Sequence, residues 1–117
     1  MTVYVDDMYR YPVGQFGRMK MSHMVADTRA ELDAMADKIG VARKWIQSQG
    51  THQEHYDVAM SARAKAIAAG AVQITYLQCG CMCARRGVEG TLGEPVDAEA
   101  WRVAYFDKKR IEREGKA

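Results

Sequence analysis

The chain has 117 residues, enough for one domain around one core. It is 48% apolar and 27% charged with a net charge of +2, a globular composition without the basic excess of a dedicated nucleic-acid binder. No apolar run approaches the roughly 18 residues that a membrane span needs.

The nearest thing to a basic stripe is Arg102, Lys108, Lys109, Arg110 and Arg113, and Glu99, Asp107, Glu112 and Glu114 are interleaved with it. That run reads as a solvated helix face, with a nucleic-acid or acidic partner as the minority reading. The three cysteines, Cys79-x-Cys81-x-Cys83, are odd in number and too tightly spaced for a structural bridge. The chain opens directly on strand-like residues, without the charged-then-apolar pattern of a signal peptide. Both features lead to the expectation of a reduced, cytoplasmic protein.

In chain order, residues 2–6 alternate as a first strand, with Asp6 and Asp7 at its carboxyl end. A loop through Gly17 follows, then a short strand over Arg18–Met24. Thr28-Arg-Ala-Glu31 is a capping box, and Leu32, Met35, Ala36 and Ile39 form one apolar helix face stopped by Gly40. Val41–Gln47 fits helix or strand, with Trp45 and Ile46 expected inside. Ser48–Glu54 is a polar loop, with His52 expected in solvent. A second helix is expected from Met60 to Ala69, ended by Gly70, and a strand over Ala71–Leu77. Gly80–Glu94 holds four glycines and reads as a loop. Pro95 and Asp97 open a last helix, capped by Asp97, with Trp101, Ala104 and Tyr105 on one face. The eight methionines suit a plastic core.

These elements predict a single small α/β domain: a short, mostly parallel sheet covered by helices, with a C-terminal helical extension. The divisions are a core over 1–78, a Cys/Gly-rich loop over 79–94 and a C-terminal helix over 95–117.

Three polar clusters fall where strands or loops meet helices: Asp6-Asp7, Ser22-His23 with Asp27, and His55-Tyr56-Asp57. In α/β sheets such junctions collect at one edge, where ligands bind. Asp6, His23, His55 and Asp57 are the candidate catalytic residues. As ligands of a divalent metal they would acidify a bound water for attack on a phosphoryl or carbonyl centre. Without metal, His23 or His55 would act as general acid–base, oriented by Asp27 or Asp57. Each aspartate alone also serves as a cap, and a lone histidine as a satisfied structural group. The recurrence of the pattern is what points to a site. The cysteine run offers three ligands where a structural zinc site wants four.

Val3-Tyr-Val-Asp-Asp7, Ser22-His-Met-Val-Ala-Asp27, Glu31-Leu32 and His55-Tyr-Asp-Val58, followed by Arg63 and Gly70-Ala71, resemble an uncharacterised family of small bacterial and phage proteins, a domain of unknown function. The resemblance spans roughly residues 2–77. It implies a shared fold and gives Asp7, Ser22, Asp27, Tyr56 and Arg63 weight as ligand-binding residues beside the catalytic four. It implies no activity. A phage origin would place the protein in the host cytoplasm. The functions in contention are a hydrolase or transferase acting on a phosphate-containing molecule such as a nucleotide, a non-catalytic accessory protein that holds such a ligand or blocks a host defence protein, and an assembly component docking through its last helix.

Overall fold

The computed structural model describes residues 2–115, so the outermost residues of the expected 1–78 core and 95–117 helix lie outside the described residues. Strand β1 (Val3–Val5) is buried along its whole length. After Asp6 and Asp7 the chain tightens into 3-10 turns at Met8–Arg10 and Pro12–Gly14. Strand β2 (Gln15–Phe16) then reverses at Gly17, whose φ of +60° favours glycine, into β3 (Met19–Ala26).

β3 is the spine of the sheet. It pairs antiparallel with β2, with β1 and with β4 (Tyr56–Ala59). Met24 pairs with Val5 and with Tyr56, so β1 and β4 flank β3 on opposite sides. Strand β5 (Val72–Gln73) adds to the free edge of β1, the one parallel pairing among the described residues. The expected mostly parallel sheet is therefore mostly antiparallel. For β1 and β3 the reason is the connection, since tight turns, not a helix, join them and such links produce antiparallel neighbours; β4 also runs antiparallel to β3 although a helix lies between them in the chain.

The helices are α1 (Arg29–Ile39), α2 (Met60–Ala68), α3 (Tyr76–Glu89) and α4 (Ala98–Gly115). They cover both sheet faces. On one face Val3, Val5, Met24, Ala26, Tyr56 and Val58 pack against α1 and α2. On the other, Tyr4, Val25 and Ile74 pack against Cys79, Cys81 and Met82 of α3, with Leu92 and Ala98 closing the edge. The mixed α/β class and the C-terminal helix stand as expected. Among the described residues, no helix is long and apolar enough to cross a membrane.

The first helix forms as its sequence dictates. Leu32, Met35, Ala36 and Ile39 are buried, Thr28 Oγ1 accepts from the Glu31 backbone N–H at 3.2 Å, and Gly40 closes the helix at φ +82°. The box is only half made, because the Thr28 hydroxyl donates to Glu31 Oε1 at 2.8 Å where a full box would have the carboxylate accept from the Thr28 N–H. Thr28→Ala is expected to cost about 1 kcal/mol, read as a shift of the urea midpoint at unchanged slope.

The largest departure lies after Gly70. The expected strand Ala71–Leu77 pairs only at Val72–Gln73, and the expected loop over Gly80–Glu94 is mostly α3. Thr75 and Gln78 form a complete capping box that starts this helix, and Gly90 in the left-handed region ends it. Gly87 sits inside the helix because a Cβ there would come within 3.0 Å of the His52 ring. Trp45 is exposed rather than buried, standing on a short 3-10 turn with Lys44 over its ring. On α4, Trp101 and Tyr105 stack half-buried while Ala104 faces solvent. The basic residues of its outer turns pair with Asp107, Glu112 and Glu114, as a solvated face does.

Candidate functional site

Strand alternation places the site. Met24 faces α1 and α2, so its neighbour His23 faces α3, together with Val25. Tyr56 and Val58 face α1 and α2, so Asp57 faces α3. Tyr4 faces α3, and so does Asp6 two residues on. The Asp6 N–H donates to the His23 carbonyl at 3.0 Å, and His23 is the register partner of Asp57. Asp6, His23 and Asp57 thus form a row across β1, β3 and β4, under α3. His55, two residues before Asp57, joins the same face, its backbone paired both ways with Gln47. His55-Tyr56-Asp57 is therefore strand, not a pre-helix loop, and the row comes from cross-strand register.

Asp6 is fully buried and fully used. Its Oδ1 accepts from the backbone N–H groups of Met8 at 3.1 Å and His23 at 2.8 Å, and its Oδ2 lies 2.8 Å from His23 Nδ1. A carboxylate only accepts, so His23 carries a proton on Nδ1 and, when neutral, turns the Nε2 lone pair outward. The same logic fixes His55, whose Nδ1 lies 2.6 Å from the Gln53 carbonyl oxygen. Both Nε2 atoms then face Asp57 Oδ1, at 3.9 Å from His23 and 3.2 Å from His55. Asp57 Oδ2 accepts from Gln47 Nε2, but Oδ1 is buried without a hydrogen-bond partner. The imidazole rings of His23 and His55 meet edge to face, 4.7 Å apart.

The electrostatics follow. Burial works against the charged forms of both His55 and Asp57. Their mutual proximity outweighs it, with help from the Gln53 carbonyl at His55 and from Gln47 and His23 at Asp57. The His55 pKa is raised above, and that of Asp57 held below, the ordinary range.

α3 roofs this row. Its first N–H, of Tyr76, donates to Asp7 Oδ1 at 2.6 Å, an anchor at the positive end of the helix. Near its last turn, Arg86 donates to the carbonyls of His52, Glu54 and Ala26, pinning the His52–His55 loop to the helix. Between roof and row opens a cavity of about 690 Å³, lined by His23, His55, Tyr76 and Cys83, with Arg102 and Phe106 of α4 at its rim. Cys79 and Cys83, one helical turn apart, face this side. The hydrogen bond with Cys79 favours the Cys83 thiolate against burial, and with Arg86, His23 and His55 nearby draws its pKa down to about 7. All three cysteines are free, as expected.

Several sequence candidates stand elsewhere. Ser22 is buried on the opposite face, accepting from the Tyr9 N–H at 3.3 Å. Tyr56 is buried in the α1/α2 core, donating to Asp33 at 2.6 Å. Burial and that carboxylate push its pKa up to about 12. Asp27 accepts from the Thr2 N–H at 3.0 Å, away from His23. Arg63 is buried, donates to the Asp6 carbonyl at 2.9 Å and lies over the Tyr9 ring. Asp7 seats α3. These five position the elements and do not line the cavity. Conversely, the sequence reading passed over Gln47, Gln53, Tyr76 and Arg86, and weighed Cys79 and Cys83 only as part of a three-ligand cysteine run. The Thr75-x-x-Gln78 box was the available signal, since it starts the helix that carries the last four. His52 is exposed as expected, yet it lines the cavity wall.

Fold and site define a small three-layer α/β protein with a histidine–aspartate centre between its sheet and one helix. Residues 3–86, well over half of the chain, match the family described as "Protein of unknown function (DUF4031)", and the chain belongs to that family. The match runs past Leu77 through Cys79, Cys81 and Cys83 to Arg86, so the cysteine-bearing helix is part of the family domain rather than an addition to it. No curated protein and no solved structure matches the chain.

Proposed function

We propose that the protein is a hydrolase or transferase acting on a small phosphate-containing molecule, with nucleotides as the first class to test. The observation that carries this reading is the convergence of two imidazole Nε2 atoms on Asp57 beside a cavity of about 690 Å³, which both histidines line and Asp57 does not. Asp6 and the Gln53 carbonyl fix both rings with their lone pairs toward that point. It is a basic pole at which a water or hydroxyl can be activated for attack on phosphorus. Arg102 at the rim supplies a positive group for a phosphate. The volume is that of a small-molecule site.

A reading as a binding protein draws on a different observation: Leu77 and Phe106, at the cavity mouth, are 51% and 54% exposed, an apolar rim suited to holding a base or a partner surface. Turnover separates the two. The purified protein is expected to hydrolyse at least one of a panel of nitrophenyl phosphate mono- and diesters and nucleoside mono-, di- and triphosphates. Calorimetric binding of a nucleotide with no turnover across the panel would replace catalysis with ligand capture.

A further inference from the structure

We infer that His23, His55 and Asp57 bind one divalent transition-metal ion, with zinc the ion whose preferences the donor set fits. The inference deepens the proposed function, since it names the group that would activate the nucleophile, but its test stands apart from activity.

The argument begins with a mismatch. Both imidazoles spend their Nδ1–H on an acceptor, Asp6 Oδ2 for His23 and the Gln53 carbonyl for His55. In the neutral rings the Nε2 atoms are therefore lone pairs, and both point at a carboxylate oxygen, a third acceptor. That oxygen, Asp57 Oδ1, is buried and has no hydrogen-bond donor. Three acceptors facing one point inside a protein are unfavourable unless something positive lies between them. A proton on one ring answers one of the contacts. A cation answers all three.

The spacing agrees. With ligand bonds of 2.0–2.1 Å, the edge of a tetrahedral zinc site is about 3.3 Å. The Asp57 oxygen stands 3.2 Å from His55 Nε2 and 3.9 Å from His23 Nε2, and the three donor atoms lie within 4.8 Å of one another. Two imidazoles and a carboxylate suit zinc or another first-row metal, whereas magnesium and calcium take oxygen shells. Each ring is also oriented as metal-bound histidines are, its far nitrogen donating to a carboxylate or a carbonyl. Since His23 and His55 both line the cavity, an ion held by them would supply Lewis acidity to a water there.

The neighbouring group of Asp6, His23 and Cys79 does not compete. Asp6 already accepts two backbone N–H groups and the His23 ring, so its oxygens are committed to the fold.

The test titrates chelator-stripped full-length protein with zinc against a chromophoric competitor, and repeats it with cobalt(II), whose visible spectrum reports ligand number. One equivalent is expected to bind, with the absorption of a four-coordinate cobalt site. His55→Ala and Asp57→Asn should each abolish stoichiometric binding with circular dichroism unchanged. His52→Ala, which removes a cavity-wall imidazole outside the donor set, should leave the affinity as it was. Absence of stoichiometric binding, or binding that survives both His55→Ala and Asp57→Asn, overturns the inference. Tight binding without turnover would uphold the metal site and remove the hydrolase.

Discussion

Asp6→Ala is expected to destabilise the protein by about 3–5 kcal/mol, the scale of breaking a buried charged hydrogen-bond network. Asp6 is fully buried and receives two backbone N–H groups and the His23 ring. Truncation strands all three donors, and water cannot readily replace the lost carboxylate beneath α3. Loss of the Met8 contact also frees the turn that leads from β1 toward β2. Asp6→Asn is the informative companion. Its oxygen can still accept both backbone donors, so it should lose less stability. Its amide nitrogen, however, would face His23 Nδ1 as a donor and drive the ring proton to Nε2, removing the lone pair from the site. Urea unfolding of the two variants checks this. A loss below 1 kcal/mol for Asp6→Ala would show that the network contributes little.

Why the sequence revealed some of this and not the rest is visible in particular residues. Helix α1 was legible because its cap, apolar face and glycine stop are all local. Asp6, His23, His55 and Asp57 were legible as a set, and they do lie on one sheet face. The route to that set was different. They were expected to meet as strand-to-helix junctions at the edge of a parallel sheet, whereas they meet as a row across antiparallel strands. Register is a tertiary property, set here by which residues of β3 pair with β1 and β4, and a single sequence does not contain it.

The roof of the site was missed because the composition of 80–94 misled. Gly80 and Gly87 weaken helix propensity, yet packing overrides propensity when a helix buries one face, as α3 does with Cys79, Cys81 and Met82. Gly87 has a contact reason, the His52 ring against it, that appears only after folding. The five ligand-binding candidates share a further lesson. Ser22, Asp27, Tyr56, Arg63 and Asp7 each hold a structural bond, and a family pattern weights such residues as strongly as reactive ones.

The largest functional effect is expected at the two residues whose chemistry the fold does not use. His55→Ala and Asp57→Asn should each lower kcat/KM on the turned-over phosphoester by about a hundred- to ten-thousandfold, the range for losing a positioned proton-transfer group. Stability should not follow. His55 donates only to the nearby Gln53 carbonyl, a contact of the loop with itself that Arg86 holds in place independently. At Asp57 the sign reverses. Asn keeps one oxygen for the Gln47 contact and puts an N–H₂ where an unpartnered carboxylate oxygen now faces two imidazole lone pairs. A donor replaces a third acceptor, so above the raised His55 pKa, where both rings are neutral, the metal-free variant should gain about 0.5–1.5 kcal/mol, the net worth of a hydrogen bond, whereas below that pKa the lost His55–Asp57 ion pair works against it. A residue retained for folding would behave in the opposite way, losing stability when its charge is removed. Paired measurements of unfolding and turnover on Asp57→Asn therefore decide the matter: lower activity with equal or higher stability marks a site kept for chemistry, and a parallel fall in both marks a structural carboxylate.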